Sequence, residues 1–261
     1  MQDLNTLQSS DSSDEGAQAW AIPFADMMTL LLTLFILLLV ILKESEKFVD
    51  RQINLLLQET YEQLDGKIKN EDVSIERVTK GIQITLRGNL FQSMKANVNK
   101  NYIPVIQEIS KIIEDCRLFN IGETEQYSAL MKFLDDRNEE LNVEIRCEGH
   151  TDDAILPPQS DFSNNWELSS ARSLKVVNIM NDASSISEKY FSYNGYGEFR
   201  PLINVSGIDD FQKKKQARAY NRRVEIYLDA FARPKTRSSE DEFVKILDNK
   251  FKKEEKLQLS N

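Results

Sequence analysis

Between Trp20 and Leu42 the chain reads WAIPFADMMTLLLTLFILLLVIL, an apolar run whose only ionisable group is Asp26. As a helix those 23 residues rise roughly 34 Å at about 1.5 Å per residue, against a hydrocarbon core of about 30 Å. Starting at Met27 would leave only 16 residues, a poor span. A carboxyl at membrane depth costs on the order of 2.5–3.5 kcal/mol on insertion scales, so it is kept where it faces protein or water. Two readings of the span stay open. Asp26 is an ion or proton site within the membrane, or the helix is an anchor that begins at Met27 with Asp26 at the interface.

The rest of the chain has the hydropathy of a soluble protein, which predicts one membrane segment at 20–42 and one or two aqueous domains. No Lys or Arg precedes the run, and KESEKFVD rather than a small-residue cleavage site follows it, so the segment reads as an uncleaved anchor. Residues 1–19, Ser-rich with four acids and no base, are expected to be disordered. Lys43, Lys47 and Arg51 follow the span, and the positive-inside rule alone would put the N-terminus outside. A net charge of −9 opposes nucleic acid and anionic membrane surfaces as partners. Two cysteines, Cys116 and Cys147, make no disulfide framework, and Cys147 reads as a small buried residue of a strand.

Residues 43–66 read as an amphipathic helix with Phe48, Ile53, Leu56, Leu57, Tyr61 and Leu64 on one side and Gly66 at its end. Such a helix is a connector, a coiled-coil partner for a second copy, or a segment that lies against a partner and controls a channel. A globular domain is expected over 71–231. Val73–Thr79 and Ile82–Leu86 suggest a hairpin. Asn101–Cys116 is predicted helical with Val105, Ile109, Ile112 and Ile113 inward. Residues 117–140 read as an insertion. Val143–Glu148 is a predicted strand, Trp166–Asn181 a helix, and Phe191–Tyr193 and Arg223–Leu228 further strands. This alternation predicts an α+β chain: one transmembrane helix, then an α/β sandwich with a mixed sheet and helices on one face. Residues 232–261 form a charged tail with Phe243, Val244, Leu247 and Phe251 at helical spacing.

Four ordered blocks carry a family resemblance: Gly149–Asp152 (GHTD), Asn165/Leu168/Ser169/Arg172, Gly195–Gly197 with Pro201, and Asn221–Glu225 (NRRVE). Together they resemble the OmpA-like peptidoglycan-binding domain. The stretch Ser163-Asn164-Asn165-Trp166-Glu167-Leu168-Ser169 is similar to the MotB/PomB branch, the B subunits of bacterial flagellar stators. The span, with its F-A-D-M-M-T-L-L-L, resembles that branch's membrane helix. The resemblance implies that Asp26 carries a proton or sodium ion, with no cofactor. It implies that Asp152 and Arg172 hold the ammonium and carboxylate of a stem-peptide diamino acid, with Thr151, Asn165 and Arg223 as neighbours. Arg172 is expected at a helix start, where free N–H groups also favour a carboxylate.

The implied partners are a ring of multi-span A-type (MotA/PomA-like) subunits, a second copy of the chain, and peptidoglycan. The implied location is the inner membrane, N-terminus cytoplasmic and domain facing the periplasm or wall, with 43–66 as a plug. Two departures stand out: a long Asp152–Asn165 loop carrying Pro157-Pro158, and an N-terminus that is acidic where stator B subunits carry bases. The second leaves open a stator-like unit of another system, such as phage defence; a passive wall tether is the remaining alternative.

His150 is the sole histidine. Cys147 and His150, three apart on a strand, face opposite ways, and no second ligand pair exists, so no metal site is expected. A serine hydrolase would need His150 as base and a carboxylate-pair hydrolase a partner motif, so no enzyme is expected either. Tyr193, Tyr196 and Phe199 read as core and loop packing rather than a sugar-stacking shelf.

Overall fold

A computed structural model describes residues 12–79, 81–88, 90–91, 94–119, 121 and 125–235, with side chains left out at 12–19, 45, 46, 125 and 126. The first eleven residues and the charged tail beyond residue 235 lie outside the described residues. The chain forms two compact units that meet in sequence between Arg51 and Gln52.

The first unit is helical and belongs to α1 (Ser12–Lys67). The helix takes in residues 12–19, which were expected to be disordered; no proline interrupts it before Pro23. Every side chain from Trp20 to Glu44 is exposed in the isolated chain. A helix apolar all round belongs in a bilayer or inside a larger protein, and this is the one helix among the described residues long and apolar enough to cross a membrane. The hydroxyls of Thr29 and Thr33 donate back to the carbonyls of Asp26 and Leu30, each at 2.8 Å, so both are satisfied within their own turn.

The second unit starts with the last turns of α1. Ile53, Leu56, Leu57, Thr60 and Leu64 recur at helical spacing and are buried, while Tyr61 is half-buried. Glu59 accepts hydrogen bonds from Arg117 at 3.1 and 3.2 Å and from Tyr127 at 3.4 Å. This seam therefore packs within the domain, which begins at Gln52 rather than near residue 71.

Five strands follow: β1 (Val73–Val78), β2 (Gly81–Leu86), β3 (Glu139–His150), β4 (Phe191–Gly195) and β5 (Arg223–Pro234). The sheet order is β1-β2-β5-β3-β4, with β3 and β4 parallel and the other pairs antiparallel. Register decides the two faces. Leu86, Ile84 and Ile82 of β2 stand opposite Val224, Ile226 and Leu228 of β5, and the last two stand opposite Cys147 and Ile145 of β3. All eight are buried, forming one continuous apolar face. The alternate residues of β3 and β5 are charged or polar, apart from Phe231.

The apolar face is covered by α2 (Ile103–Glu114) and α4 (Asn165–Ala183), which pack on each other; Ser110 Oγ donates to the Met180 carbonyl at 2.7 Å. In α2 the inward residues are Ile106, Ile109, Ile112 and Ile113, with Val105 only half-buried where it was expected inside. Two further helices lie where the sequence pattern is weak. α3 (Glu125–Asp136) falls within the presumed insertion and buries Tyr127, Leu130 and Leu134. α5 (Phe211–Asn221) is capped by Asp210, which accepts the N–H groups of Gln212 and Lys213. β3 and β5 run past their neighbours, so residues 139–143 and 230–234 pair as a two-stranded ribbon.

Leu56 is fully buried. Leu56→Ala is expected to cost the domain about 2–5 kcal/mol, measured by urea denaturation of the full chain in detergent. Leu55→Ala, one position round the helix at an exposed site, is the control and should change little.

Candidate functional site

The four family blocks converge at one end of the sheet, and α4 organises them. Asn164 caps the helix by accepting the Glu167 N–H at 2.9 Å, and Glu167 reaches back to accept the Ser163 N–H at 2.7 Å. Gly149 of β3 and Gly195 of β4 are paired in register, and a Cβ on either would strike the Ser169–Ser170 segment of α4. The pair of glycines lets the helix lie close on the sheet end. Ser169 Oγ then accepts the Gly197 N–H at 2.9 Å, and the Gly197 carbonyl accepts from Thr151 N at 2.9 Å.

A cavity of about 240 Å³ opens here, with Thr151, Asp152, Asn165 and Arg172 among its lining residues. Asn165 donates to the Asp152 carbonyl at 3.4 Å, to the Ala154 carbonyl at 3.0 Å and to the Glu198 carboxylate. Asp152 receives Arg222 Nη1 at 2.7 Å and caps its own loop through the Ala154 N–H at 3.3 Å. Thr151 is buried, and its hydroxyl has no hydrogen-bond partner among the described residues.

Arg172 is 4% exposed, donates from Nε to the Lys95 carbonyl at 3.1 Å, and lies 4.9 Å over the Phe91 ring. No carboxylate lies within ion-pair distance of it among the described residues. Burial pulls its pKa down to about 10, against the attraction of Asp152, so it stays cationic at neutral pH. A buried guanidinium with no carboxylate in contact has the chemistry to receive an anion. Asp152, shared with Arg222 rather than with Arg172, supplies the complementary acceptor. Arg172 sits two turns into α4, not at its start, so the helix N-terminus does not act beside it.

Arg223 lies elsewhere. β5 alternation turns it to the polar face of the sheet, where its Nε donates to Glu225 Oε1 at 2.6 Å. The cavity's second arginine is Arg222, the first of the doublet, which precedes the strand. The alternation of Val224, Ile226 and Leu228 is the signal that separates the two. Phe91 and Met94, from the loop before α2, were not found in the sequence, because an irregular loop carries no periodicity. A second cavity of about 420 Å³ adjoins at Thr151, with Asp153, Glu198 and Lys214 on its walls. Asp153 is held there by Arg218 through two bonds of 2.6 and 3.0 Å.

On the polar face, Glu148, His150, Arg223 and Glu225 are all buried. Tyr227 donates to Glu225 Oε2 at 2.8 Å, and His150 Nε2 stands 3.6 Å from the same oxygen, beyond ordinary hydrogen-bond reach. The donor atoms of Glu148, His150 and Glu225 lie within 4.8 Å of one another, a spacing that could accept a cation. Both carboxylates already have an arginine beside them: Arg146 stands 3.3 Å from Glu148 and 3.1 Å from Asp229, and Arg223 2.6 Å from Glu225. The cluster is a structural charge network.

Burial alone would raise the Glu225 pKa, but the approach of His150 and the bonds from Arg223 and Tyr227 outweigh it and bring it down to about 2, from the usual 4.5. A carboxyl depressed by folding contributes stability that is present above its unfolded pKa and lost as pH falls through the folded one. Urea stability should therefore decline between about pH 4.5 and pH 2, with Glu225→Gln less stable at neutral pH and flatter over that window.

Residues 7–54 match the family model of the membrane MotB of the proton-channel complex MotA/MotB, and residues 118–215 match that of the OmpA family. Motility protein B of Bacillus subtilis is 27% identical over 177 residues, covering 66% of this chain and 56% of that protein's length. Motility protein B of Helicobacter pylori is 23% identical over 274 residues, covering 90% of this chain and 92% of that one. The crystal structure of a MotB-like protein from Desulfovibrio vulgaris shares the fold at a TM-score of 0.51 and 18% identity, over 71% of this chain and 99% of that one. With both matches in this order along one chain, and an OmpA-like sandwich following one long apolar helix in sequence, the chain is similar to MotB-type proteins along most of its length.

Proposed function

We propose that the chain is the B subunit of an ion-driven stator, anchored to peptidoglycan and powering a flagellar motor. The observation that carries this reading is Asp26: one carboxyl on a helix otherwise apolar all round, without a side-chain partner among the described residues. A lone helix cannot form a pore, so the carboxyl must face a partner, here a ring of A-type subunits with a second copy of the chain. Taking up a proton or sodium ion outside and releasing it inside switches the group between neutral and charged. That gives the ring two states to follow, and a membrane potential drives each elementary charge with about 2.3 kcal/mol per 100 mV.

Torque needs a fixed reference. The cavity offers Arg172 for a carboxylate and Asp152 for an ammonium, the two groups that a stem-peptide diamino acid presents together. On this reading the domain lies on the wall side of the inner membrane and the N-terminus in the cytoplasm.

Ion flux in vesicles holding the chain and an A-type partner tests the first half. Removing residues 45–51, about two helical turns, shortens the proposed plug and nearly keeps the helix phase; it takes out buried Val49 but leaves the buried residues from Ile53 onward. Flux is expected, dependent on pH or on sodium, and Asp26→Asn is expected to abolish it. Flux retained in that variant would sink the ion-carrier assignment, and no flux from an assembled complex would leave a passive tether. For the second half, Arg172→Ala is expected to weaken sacculus binding about ten- to a hundred-fold, read by co-sedimentation, as for a lost charged hydrogen bond.

A further inference from the structure

Two large aromatic rings are held out to solvent beside the cavity. Trp166 and Phe199 stack with centroids 5.1 Å apart and planes 25° from parallel, yet they are 48% and 61% exposed. Of the aromatic residues read from sequence as packing, Tyr196 does pack, half-buried against His150 and under the Arg200 guanidinium at 3.6 Å. Phe199 does not. Rings that size are normally withdrawn from water, and leaving them out marks a surface for contact.

Their support is rigid. Gly197, at φ +55°, adopts a left-handed turn, and its N–H and carbonyl are tied to Ser169 and Thr151 at 2.9 Å each. Asn165 and Glu198, the residues just before each ring, are hydrogen-bonded to one another, and Asn165 also lines the Arg172 cavity. Shelf and cavity are therefore joined, and the shelf is set before any ligand arrives.

We propose that the Trp166–Phe199 pair is a subsite for the amino-sugar backbone of the wall polymer. The C–H face of a pyranose ring carries partial positive charge and lies flat on the electron-rich face of an aromatic ring. Hydroxyl and amide N–H groups project from its rim, and Glu198, with one carboxylate oxygen engaged by Asn165, offers the other as acceptor. This rests on the wall-anchoring reading and completes it: the peptide enters the cavity while the sugar lies on the shelf. An uncharged shelf suits a sugar ring, and its junction with the cavity favours glycan over a protein partner.

The test uses the full chain in detergent with Trp20→Phe, which leaves Trp166 as the sole indole. Glycan strands stripped of peptide, and separately the free stem peptide, are titrated against Trp166 emission and by calorimetry. Strands are expected to bind and shift the emission. Trp166→Ala and Phe199→Ala should each weaken strand binding about ten-fold, with stem-peptide binding unchanged as the folding control, and Phe199→Tyr should restore it. Strands that fail to bind, or that bind the alanine variants as tightly as the parent, overturn the shelf. Stem-peptide binding in that case leaves anchoring in place; a parent that binds neither ligand overturns both.

Discussion

The binding end depends on how closely α4 can lie against β3 and β4. Two glycines paired across those strands, Gly149 and Gly195, remove the side chains that would hold the helix off the sheet. Close approach brings Ser169 within reach of the Gly197 turn and fixes Asn165, Trp166 and Arg172 together, although they span two turns of one helix. A Cβ at either glycine would meet the α4 segment itself. The helix would have to shift, and cavity and aromatic pair would shift with it.

The same end holds two arginine environments of opposite design. Arg223 is buried and paired with Glu225, in a network that runs on through Tyr227, Glu148, Arg146 and Asp229. Arg172 is equally buried but has no carboxylate within ion-pair distance among the described residues, only a carbonyl and a ring face in contact. Burying charge is tolerated when it is paired and costly when it is not, so the first arrangement reads as scaffold and the second as a place kept for an anion. Arg222, half-exposed on Asp152, lies between these extremes and can yield part of that carboxylate to an incoming ammonium.

Much of the sheet was legible, because period-two alternation and a clean apolar face leave little freedom. Val73–Val78, Gly81–Leu86 and the cores of β3 and β5 fall within a residue or two of expectation. What escaped has identifiable causes. In α5 the run QKKKQARA offers Ala217 as its only buried side chain before Asn221, so no stripe announces the helix. The first half of β3 and the last half of β5 pair only with each other, half wet, and lack the hydrophobic signature of the rest. The amphipathic segment 43–66 reads as a connector, a coiled-coil partner or a plug, because its apolar seam says only that something is covered, not what covers it. Thr151, Asp152, Asn165 and Arg172 do meet in one cavity, whereas Arg223 was displaced by a single residue of register.

The unpaired guanidinium of Arg172 also gives the domain's stability a direction. Withdrawn from water with no carboxylate in contact and only the more distant attraction of Asp152, it burdens the protein, and an anion bound there would relieve that burden. Occupancy and folding would then be linked quantities, the domain being harder to unfold while such a ligand is held than before. For a module proposed to resist a motor's reaction force, the grip itself would stiffen the body through which that force passes.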